Sequence, residues 1–176
     1  MRTMKRTLLL TACCCLLAFT SCKKSGVNLF AGDYSFKTSG EVSIKATAEI
    51  DDNNVTIPAL LNISLSNDIG QLNISVSDKK NDEVIVVINY MNGDVITTTG
   101  TCDGQTIYLD EFQRDILPLS ISTLFTDYSV ITVSGTGQMY DENMIVFDMS
   151  YKGNATIGSV TYKIRDKDVK MVAYRN

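Results

Sequence analysis

Apolar and polar side chains alternate with a period of two along most of the chain, from about residue 32 to the C-terminus. Val, Ile, Thr and Tyr are frequent there, and turn residues return about every 8–12 positions, a spacing typical of β-sandwiches and barrels. The alternation predicts about eleven short strands. They are residues 34–38, 41–50, 61–66, 72–77, 83–90, 95–102, 106–110, 129–138, 144–151, 159–165 and 169–174.

Short segments of turn-forming residues join most of these strands. Asn92-Gly93 and Asp103-Gly104 have the composition of two-residue hairpin turns, and Lys152-Gly153-Asn154 is predicted to be a further turn. Strands joined by tight turns pair with their neighbours in antiparallel order, because such a turn reverses the chain direction. The sequence therefore predicts an all-β fold, an antiparallel up-and-down β-barrel, with a β-sandwich as the alternative.

Two of the predicted strands carry almost the same sequence. Leu61–Ser66 and Leu72–Ser77 are related by a shift of eleven positions, with residues 67–70 between them. In both segments the aliphatic residues lie on one face and Asn and Ser on the other, because successive side chains of a strand alternate sides. We predict that they are the two arms of one antiparallel hairpin.

The segment from Glu111 to Asp127 breaks the alternation. Its apolar residues follow neither a period of two nor a helical period consistently, and it contains Pro118. We predict a short helical or irregular segment that is split at the proline, because proline interrupts a helix. This segment would cover an edge or an end of the sheet, or would form a lid over a ligand cavity.

The first 21 residues have the layout of a secretory signal peptide. A basic head precedes an apolar run from Leu8 to Phe19, which is shorter than the roughly 20 residues needed to span a bilayer. The exit Leu17-Ala18-Phe19-Thr20-Ser21-Cys22 resembles the lipobox of bacterial lipoproteins. This resemblance implies that residues 1–21 are removed and that Cys22 carries the lipid.

The mature chain is predicted to begin with a tether. Residues 22–31 start with small and polar side chains, and residues 32–176 have the length of one domain. The stretch Lys23-Lys24-Ser25-Gly26 lacks the acidic residues that would resemble a surface-export signal. We therefore expect a protein anchored by its lipid in the outer membrane and facing the periplasm.

The composition excludes several kinds of chemistry. The sequence has no His and no Trp, which removes Ser-His-Asp and Cys-His catalytic arrangements, His-ligated zinc and Trp platforms for sugars. All 20 acidic residues follow Cys22, whereas three of the 16 basic residues lie in the signal peptide. A chain this acidic has no electrostatic reason to bind nucleic acid. We expect no enzyme activity, no metal and no cofactor.

One thiol remains in the predicted mature chain. Three of the five cysteines lie in the signal peptide and Cys22 is expected to carry lipid, which leaves Cys102. An intramolecular disulfide is then impossible. We predict that Cys102 is a small buried apolar residue, as free cysteines commonly are.

Three stretches carry a family resemblance. They are Gly32-Asp33-Tyr34, Thr106–Asp110 running into Phe112, and Ser134–Gly137 ahead of Met144–Tyr151. On these residues the domain resembles the calycin-like β-barrel domains in short lipoproteins of Bacteroides and its relatives. In lipocalins, the best-known calycins, a Trp on the first strand packs beneath a basic residue near the end of the barrel. The resemblance implies that Tyr34 takes the place of that Trp, with Arg175 as its partner, and that the barrel holds a small apolar ligand.

The leading hypothesis is a membrane-anchored, non-enzymatic envelope protein that binds a small apolar or amphipathic ligand in its barrel. The candidate lining consists of flexible thioethers and apolar residues of the predicted lid. These residues are Met139, Met144, Met149, Ile116, Leu117 and Leu119. One alternative is a structural or interaction protein of an envelope complex, with a solid core and an unknown protein partner. A second alternative is a carbohydrate-binding lipoprotein.

Overall fold

The computed structural model describes residues 26–50, 53–116, 127–128, 131–157 and 160–176. One short helix and ten strands lie in this part of the chain. The helix is α1 (Gly26–Phe30). The strands are β1 (Gly32–Ile50), β2 (Asn53–Ser64), β3 (Ile69–Val76), β4 (Glu83–Tyr90), β5 (Val95–Asp103), β6 (Thr106–Arg114), β7 (Asp127–Tyr128), β8 (Ile131–Asp141), β9 (Met144–Ile157) and β10 (Val160–Arg175).

Eight of the strands form a closed ring. Hydrogen bonds join them in the order β10-β1-β3-β4-β5-β6-β8-β9, and β9 pairs with β10 again. Each of these pairings is antiparallel. Strand β2 pairs with the second half of β1, and β7 pairs with β9. The predicted antiparallel up-and-down β-barrel is therefore confirmed.

The predicted hairpin of the two similar segments is wrong. Both segments pair with β1 and run in the same direction along it, with Ile63 of β2 opposite Val42 and Leu72 of β3 opposite Tyr34. Residues 65–68 between them leave the ladder without reversing the chain. The similar segments are consecutive parts of one interrupted strand, because each finds its hydrogen bonds on β1 and not on the other.

Three further segments differ from the prediction. Residues 26–30, expected in the tether, form α1, whose Val27 and Phe30 are buried because they pack into the core. The predicted turn at 152–154 lies inside β9 and pairs with β10. Residues 111–114 of the non-alternating segment continue β6, whereas 117–126 lie outside the described residues. The predicted signal peptide and Cys22 also lie outside them.

The inner face of the barrel is filled by large apolar side chains in its middle part. On strand β8, Gly135 and Gly137 face inward. They lie opposite Met149 and Phe147 of β9, respectively. A Cβ atom on Gly137 would lie 2.5 Å from Phe147 Cε1, and one on Gly135 would lie 2.6 Å from Met149 Sδ. The space beside these glycines is therefore occupied, and the middle of the barrel is closely packed.

Two ends of the barrel are defined by β1 and β10. The α1 end contains α1, the start of β1 and the end of β10, where Tyr34 lies opposite Arg175. The far end contains the second half of β1 and the first half of β10, where Lys45 lies opposite Lys163. Gly26, the first described residue, lies at the α1 end.

Cys102 is buried at the α1 end, as predicted, with an exposed fraction of 7%. Burial, with a smaller contribution from Asp82, raises the pKa of its thiol from 9.0 to about 11. The folded protein therefore holds the thiol proton more tightly than the unfolded chain does. The resulting stability is complete below pH 9 and is lost as the pH rises towards 11.

We expect the melting temperature to fall less with pH in Cys102→Ala than in the wild type between pH 9 and 11, because the variant lacks the titrating thiol. Thermal unfolding followed by circular dichroism at several pH values measures this difference. Equal slopes in the two proteins would show that the thiol makes no contribution.

Candidate functional site

A β-bulge in β6 turns the side chain of Arg114 into the barrel. The register with β8 shifts between Leu109 and Phe112, and the alternation of buried and exposed residues changes phase at the same point. As a result Phe112 and Arg114 face inward, in place of Glu111 and Gln113. A bulge inserts one residue into a strand and so re-aims the side chains that follow.

The neighbouring strand β5 holds this bulge in place. Thr98 Oγ1 donates a hydrogen bond to Asp110 O at 3.2 Å, and Thr99 Oγ1 donates to the Asp110 carboxylate. The side chain of Thr98 is itself buried. The conformation that aims Arg114 inward is therefore fixed by hydrogen bonds from a second strand.

The loop between β2 and β3 supplies Asp68, the partner of Arg114. Asp68 O accepts from Thr38 N–H at 2.8 Å, and Asp68 N–H donates to Leu65 O at 2.9 Å. Gly40 O in turn accepts from Leu65 N–H at 3.1 Å. Gly40 has a φ of 104°, which favours glycine. The irregular part of β1 around Gly40 thus anchors the loop that carries Asp68.

Arg114, Asp68, Tyr90 and Tyr151 form a buried polar cluster, which we call the Arg114 cluster. Arg114 Nη1 and Nη2 donate to the two carboxylate oxygens of Asp68, with Nη2 2.9 Å from Oδ1. The guanidinium carbon lies 3.7 Å from the ring centre of Tyr90, and the guanidinium charge acts on the nearby phenol of Tyr151. Phe36 contacts the Tyr90 ring edge-on, with ring centres 5.3 Å apart. The cluster is therefore held by charge, hydrogen bonds and aromatic packing together.

The cluster keeps a positive charge and two neutral phenols inside the barrel. Burial raises the pKa of Tyr151 to about 12 and also raises that of Tyr90, although the Arg114 guanidinium opposes both shifts. For Arg114, burial favours a lower pKa, but the hydrogen bond to Asp68 and nearby groups raise it overall. Arg114 Nε has no hydrogen-bond partner among the described residues. One buried donor is thus left for a further acceptor.

The three methionines predicted to line a ligand cavity lie in different places. Met139 and Met149 are buried on the inner face of the barrel, and Met149 packs against Gly135. Met144 is half-buried and has the opposite phase to its buried neighbour Ile145, which places it on the outer face. The methionines therefore do not form one lining.

The predicted lid residues are described only in part. Ile116 is partly buried and packs against the core. It follows Arg114 by two residues, whereas Met139 lies near the α1 end, where its N–H donates to Gln105 O at 3.0 Å. Leu117 and Leu119 lie outside the described residues. Among the predicted lining residues that the structure describes, Ile116 is the one that lies close to Arg114 in the sequence.

Tyr34 and Arg175 meet at the α1 end, as the resemblance implies. Arg175 Nη2 donates to Tyr34 Oη at 2.5 Å and to Leu29 O at 2.7 Å. The guanidinium carbon of Arg175 lies 5.1 Å from the ring centre of Tyr34, and Tyr34 Oη donates to Phe30 O at 2.8 Å. These bonds tie α1 to the first and last strands of the barrel.

We expect Arg175→Met to lower the free energy of unfolding by about 2–3 kcal/mol, because it removes charge-assisted hydrogen bonds to Leu29 and Tyr34. Urea denaturation measures the change. Lys170→Met is the control, since it removes an exposed contact with Asp148 that contributes at most about 1 kcal/mol. Equal losses in the two variants would contradict the role assigned to Arg175.

The described residues contain no group of three or more His, Cys, Asp or Glu residues that could hold a metal ion. The same residues include no helix with the length and apolar character needed to cross a membrane.

The fold and the site define an antiparallel up-and-down β-barrel with a buried Arg–Asp–Tyr cluster in its interior. No family model and no curated protein matches the sequence. Among solved structures, the chain is similar to a redesigned β-barrel at 11% identity, with 86% of this chain and 95% of that chain covered and a TM-score of 0.42. It is also similar to EF1p2_mFAP2b bound to DFHBI, at 11% identity, with 86% and 97% covered and a TM-score of 0.41. The barrel is assigned from its closed ring of hydrogen bonds and not from these similarities.

The Arg114 cluster is not evident from the amino-acid sequence. The available signal is weak: Arg114 follows Phe112 at a spacing of two, which is the spacing of one strand face. The inward direction of that face depends on the bulge after Leu109, and the pattern of residue types does not locate it. Asp68 lies in the segment that the pattern assigns to the connection between two hairpin arms.

Proposed function

We propose that this protein is a lipid-anchored, non-enzymatic envelope protein that binds a small amphipathic ligand at the far end of its barrel. The Arg114 cluster is the observation that carries the proposal. An acceptor group on the ligand, such as a carboxylate, would accept a hydrogen bond from Arg114 Nε and would contact Tyr151. The apolar part of the ligand would contact Ile116, while Leu117 and Leu119 stay predicted lining residues.

The cost of burying charge supports a binding role for this cluster. Removing an ion from water costs several kcal/mol, and replacing a buried ion pair by apolar residues is often neutral or stabilising. Stability alone therefore gives little reason for an Arg–Asp pair in an otherwise apolar interior. Binding sites for small molecules, in contrast, combine apolar walls with a few polar groups that orient the ligand.

The packing of the barrel restricts where the ligand can lie. A barrel of eight strands is just wide enough either to be filled by side chains or to hold one small ligand. Around Gly135 and Gly137 the side chains of Met149 and Phe147 fill the interior. We therefore assign the ligand to the far end, beyond these residues, and not to the surroundings of Met139 and Met149.

The filled middle of the barrel also favours a second function, a structural or interaction protein with a solid core. Native mass spectrometry of the full chain purified from a bacterial host separates the two functions. A small-molecule adduct that is weakened in Tyr151→Phe and kept in Tyr140→Phe is the expected result, because Tyr140 is 77% exposed. If the wild type and both variants show the protein mass without an adduct, ligand binding is overturned and the interaction protein is favoured.

The lipid anchor is tested separately from the ligand. We expect the wild-type chain to sediment with membranes and Cys22→Ser to lose this association, because only the cysteine thiol can accept the lipid. Protection of the wild type from protease added to intact cells would support the periplasmic face of the outer membrane. A Cys22→Ser variant that still sediments with membranes would overturn the anchor.

A further inference from the structure

Two pairs of like charges lie side by side on the exposed face of β1, β9 and β10. Lys152 of β9 lies directly opposite Arg165 of β10, and Lys45 of β1 lies directly opposite Lys163 of β10. All four side chains are exposed. Because Lys163 and Arg165 are two residues apart on one strand, the four share one face of the sheet. We call them the basic patch.

The basic patch is unfavourable in the protein alone. Like charges directly opposite each other in a sheet are destabilising. No ion pair joins the patch to a carboxylate within the described part of the chain. The same two strands pair opposite charges elsewhere, since Lys170 lies opposite Asp148 with Nζ 2.5 Å from Oδ1. The formal net charge of the chain is −4, so the four cations are not a consequence of an overall basic composition.

An open groove of about 270 Å³ adjoins the patch. Its lining residues are Lys152, Gly153, Asn154, Lys163, Ile164 and Arg165. Neighbouring strands are about 4.8 Å apart and alternate residues of a strand about 6.7 Å apart, so the four charged positions lie within roughly 12 Å of one another. This area matches two or three linked phosphoryl groups better than a single ion.

We propose that the basic patch binds a phosphate-bearing ligand with at least two negatively charged groups. One group would lie between Lys152 and Arg165, where the planar guanidinium can donate two parallel hydrogen bonds to phosphate oxygens. The other would lie between Lys45 and Lys163. This site is separate from the Arg114 cluster, because its side chains are on the outer surface and that of Arg114 faces the interior.

The position of the patch favours a soluble ligand. Arg165 precedes Arg175 by ten residues on β10, which corresponds to about 33 Å of extended strand. A lipid on Cys22 would hold the α1 end at the membrane, so the patch would lie away from the head groups of that membrane. This step, unlike the site itself, rests on the proposed lipid anchor.

Titration calorimetry of the full chain with inorganic tripolyphosphate as the probe measures binding to the patch. Lys163→Gln is expected to weaken binding by about tenfold or more, because a charge-assisted contact with phosphate is lost. Lys37→Gln is the matched control, since Lys37 of β1 is exposed, as Lys163 is, and the change of charge is the same. We also expect Lys163→Gln to raise the melting temperature of the ligand-free protein, because it relieves the repulsion with Lys45.

Absence of tripolyphosphate binding by the wild type, or an equal loss in both variants, would overturn the site. A lower melting temperature for Lys163→Gln would also overturn it, because the charges would then have a structural role. Vesicles of phosphatidylcholine with phosphatidic acid distinguish the source of the phosphate. Tighter binding to these vesicles than to tripolyphosphate would overturn the soluble source and assign the site to lipid head groups.

Discussion

Asp68→Ala is expected to lower the free energy of unfolding by about 3–5 kcal/mol, because it leaves the buried guanidinium of Arg114 without its counter-charge. The side chain of Arg114 is only 4% exposed, and Asp68 accepts two of its hydrogen bonds. Urea denaturation followed by circular dichroism measures the loss. The double variant Asp68→Ala, Arg114→Met should recover part of it, since it no longer buries an unpaired charge.

Asp148→Ala is the matched control for this prediction. Asp148 and its partner Lys170 are 71% and 51% exposed, and an exposed ion pair contributes about 0–1 kcal/mol. A loss for Asp68→Ala as small as that for Asp148→Ala would mean that Arg114 is hydrated in the folded protein. The buried character of the Arg114 cluster would then be wrong.

Phe147→Ala is expected to lower the free energy of unfolding by about 3–5 kcal/mol, because it leaves a cavity in the packed middle of the barrel. Gly137→Val alone should cost about 1–3 kcal/mol, since its side chain would overlap the Phe147 ring. The double variant should be more stable than the sum of the single losses predicts, because valine then fills space that the ring has left. Denaturation of all three variants measures this difference.

Additive losses in this series would contradict the close packing of Gly137 against Phe147. They would show that the interior has room for both side chains, and hence for a ligand in the middle of the barrel. The three variants thus also test whether the middle of the barrel is too closely packed to hold the ligand.

Strands that are rich in β-branched residues and followed by strong turns are predicted well from the sequence. β4 begins at Glu83 and ends at Tyr90 as predicted, because Val84–Ile88 is a continuous β-branched run and the Asn92-Gly93 turn follows it. β1 and β10 are each predicted as two strands. Their bulges, at 39–41 and 165–170, place turn-like residues within a continuous strand. Local composition does not distinguish such a bulge from a turn.

The local sequence also does not predict whether the chain reverses its direction between two neighbouring strand segments. The segments at 61–66 and 72–77 have the alternation of two hairpin arms, and the residues between them have turn composition. The chain continues in one direction because Leu65 and Asp68 hydrogen-bond with the irregular part of β1. That part of β1 is distant in sequence, so the pattern of the two segments does not contain the information.

The two arginine contacts differ in how far the sequence predicts them. The contact of Arg175 with Tyr34 follows from the family resemblance, which relates the first strand to the end of the chain. The contact of Arg114 with Asp68 joins residues that are 46 positions apart. It requires both the bulge in β6 and the loop after β2, and neither has a recognisable signature in the residue types.

The Arg114 cluster is the proposed binding site, and an amide NMR titration with dodecanoate tests its position directly. Shifts of the Tyr90, Arg114 and Tyr151 amide signals, with those of Met139 and Ile145 unchanged, are the predicted result. They would place the ligand at the far end of the barrel, against the buried guanidinium. Shifts confined to Met139 and Ile145, or no shifts at all, would contradict the proposed site.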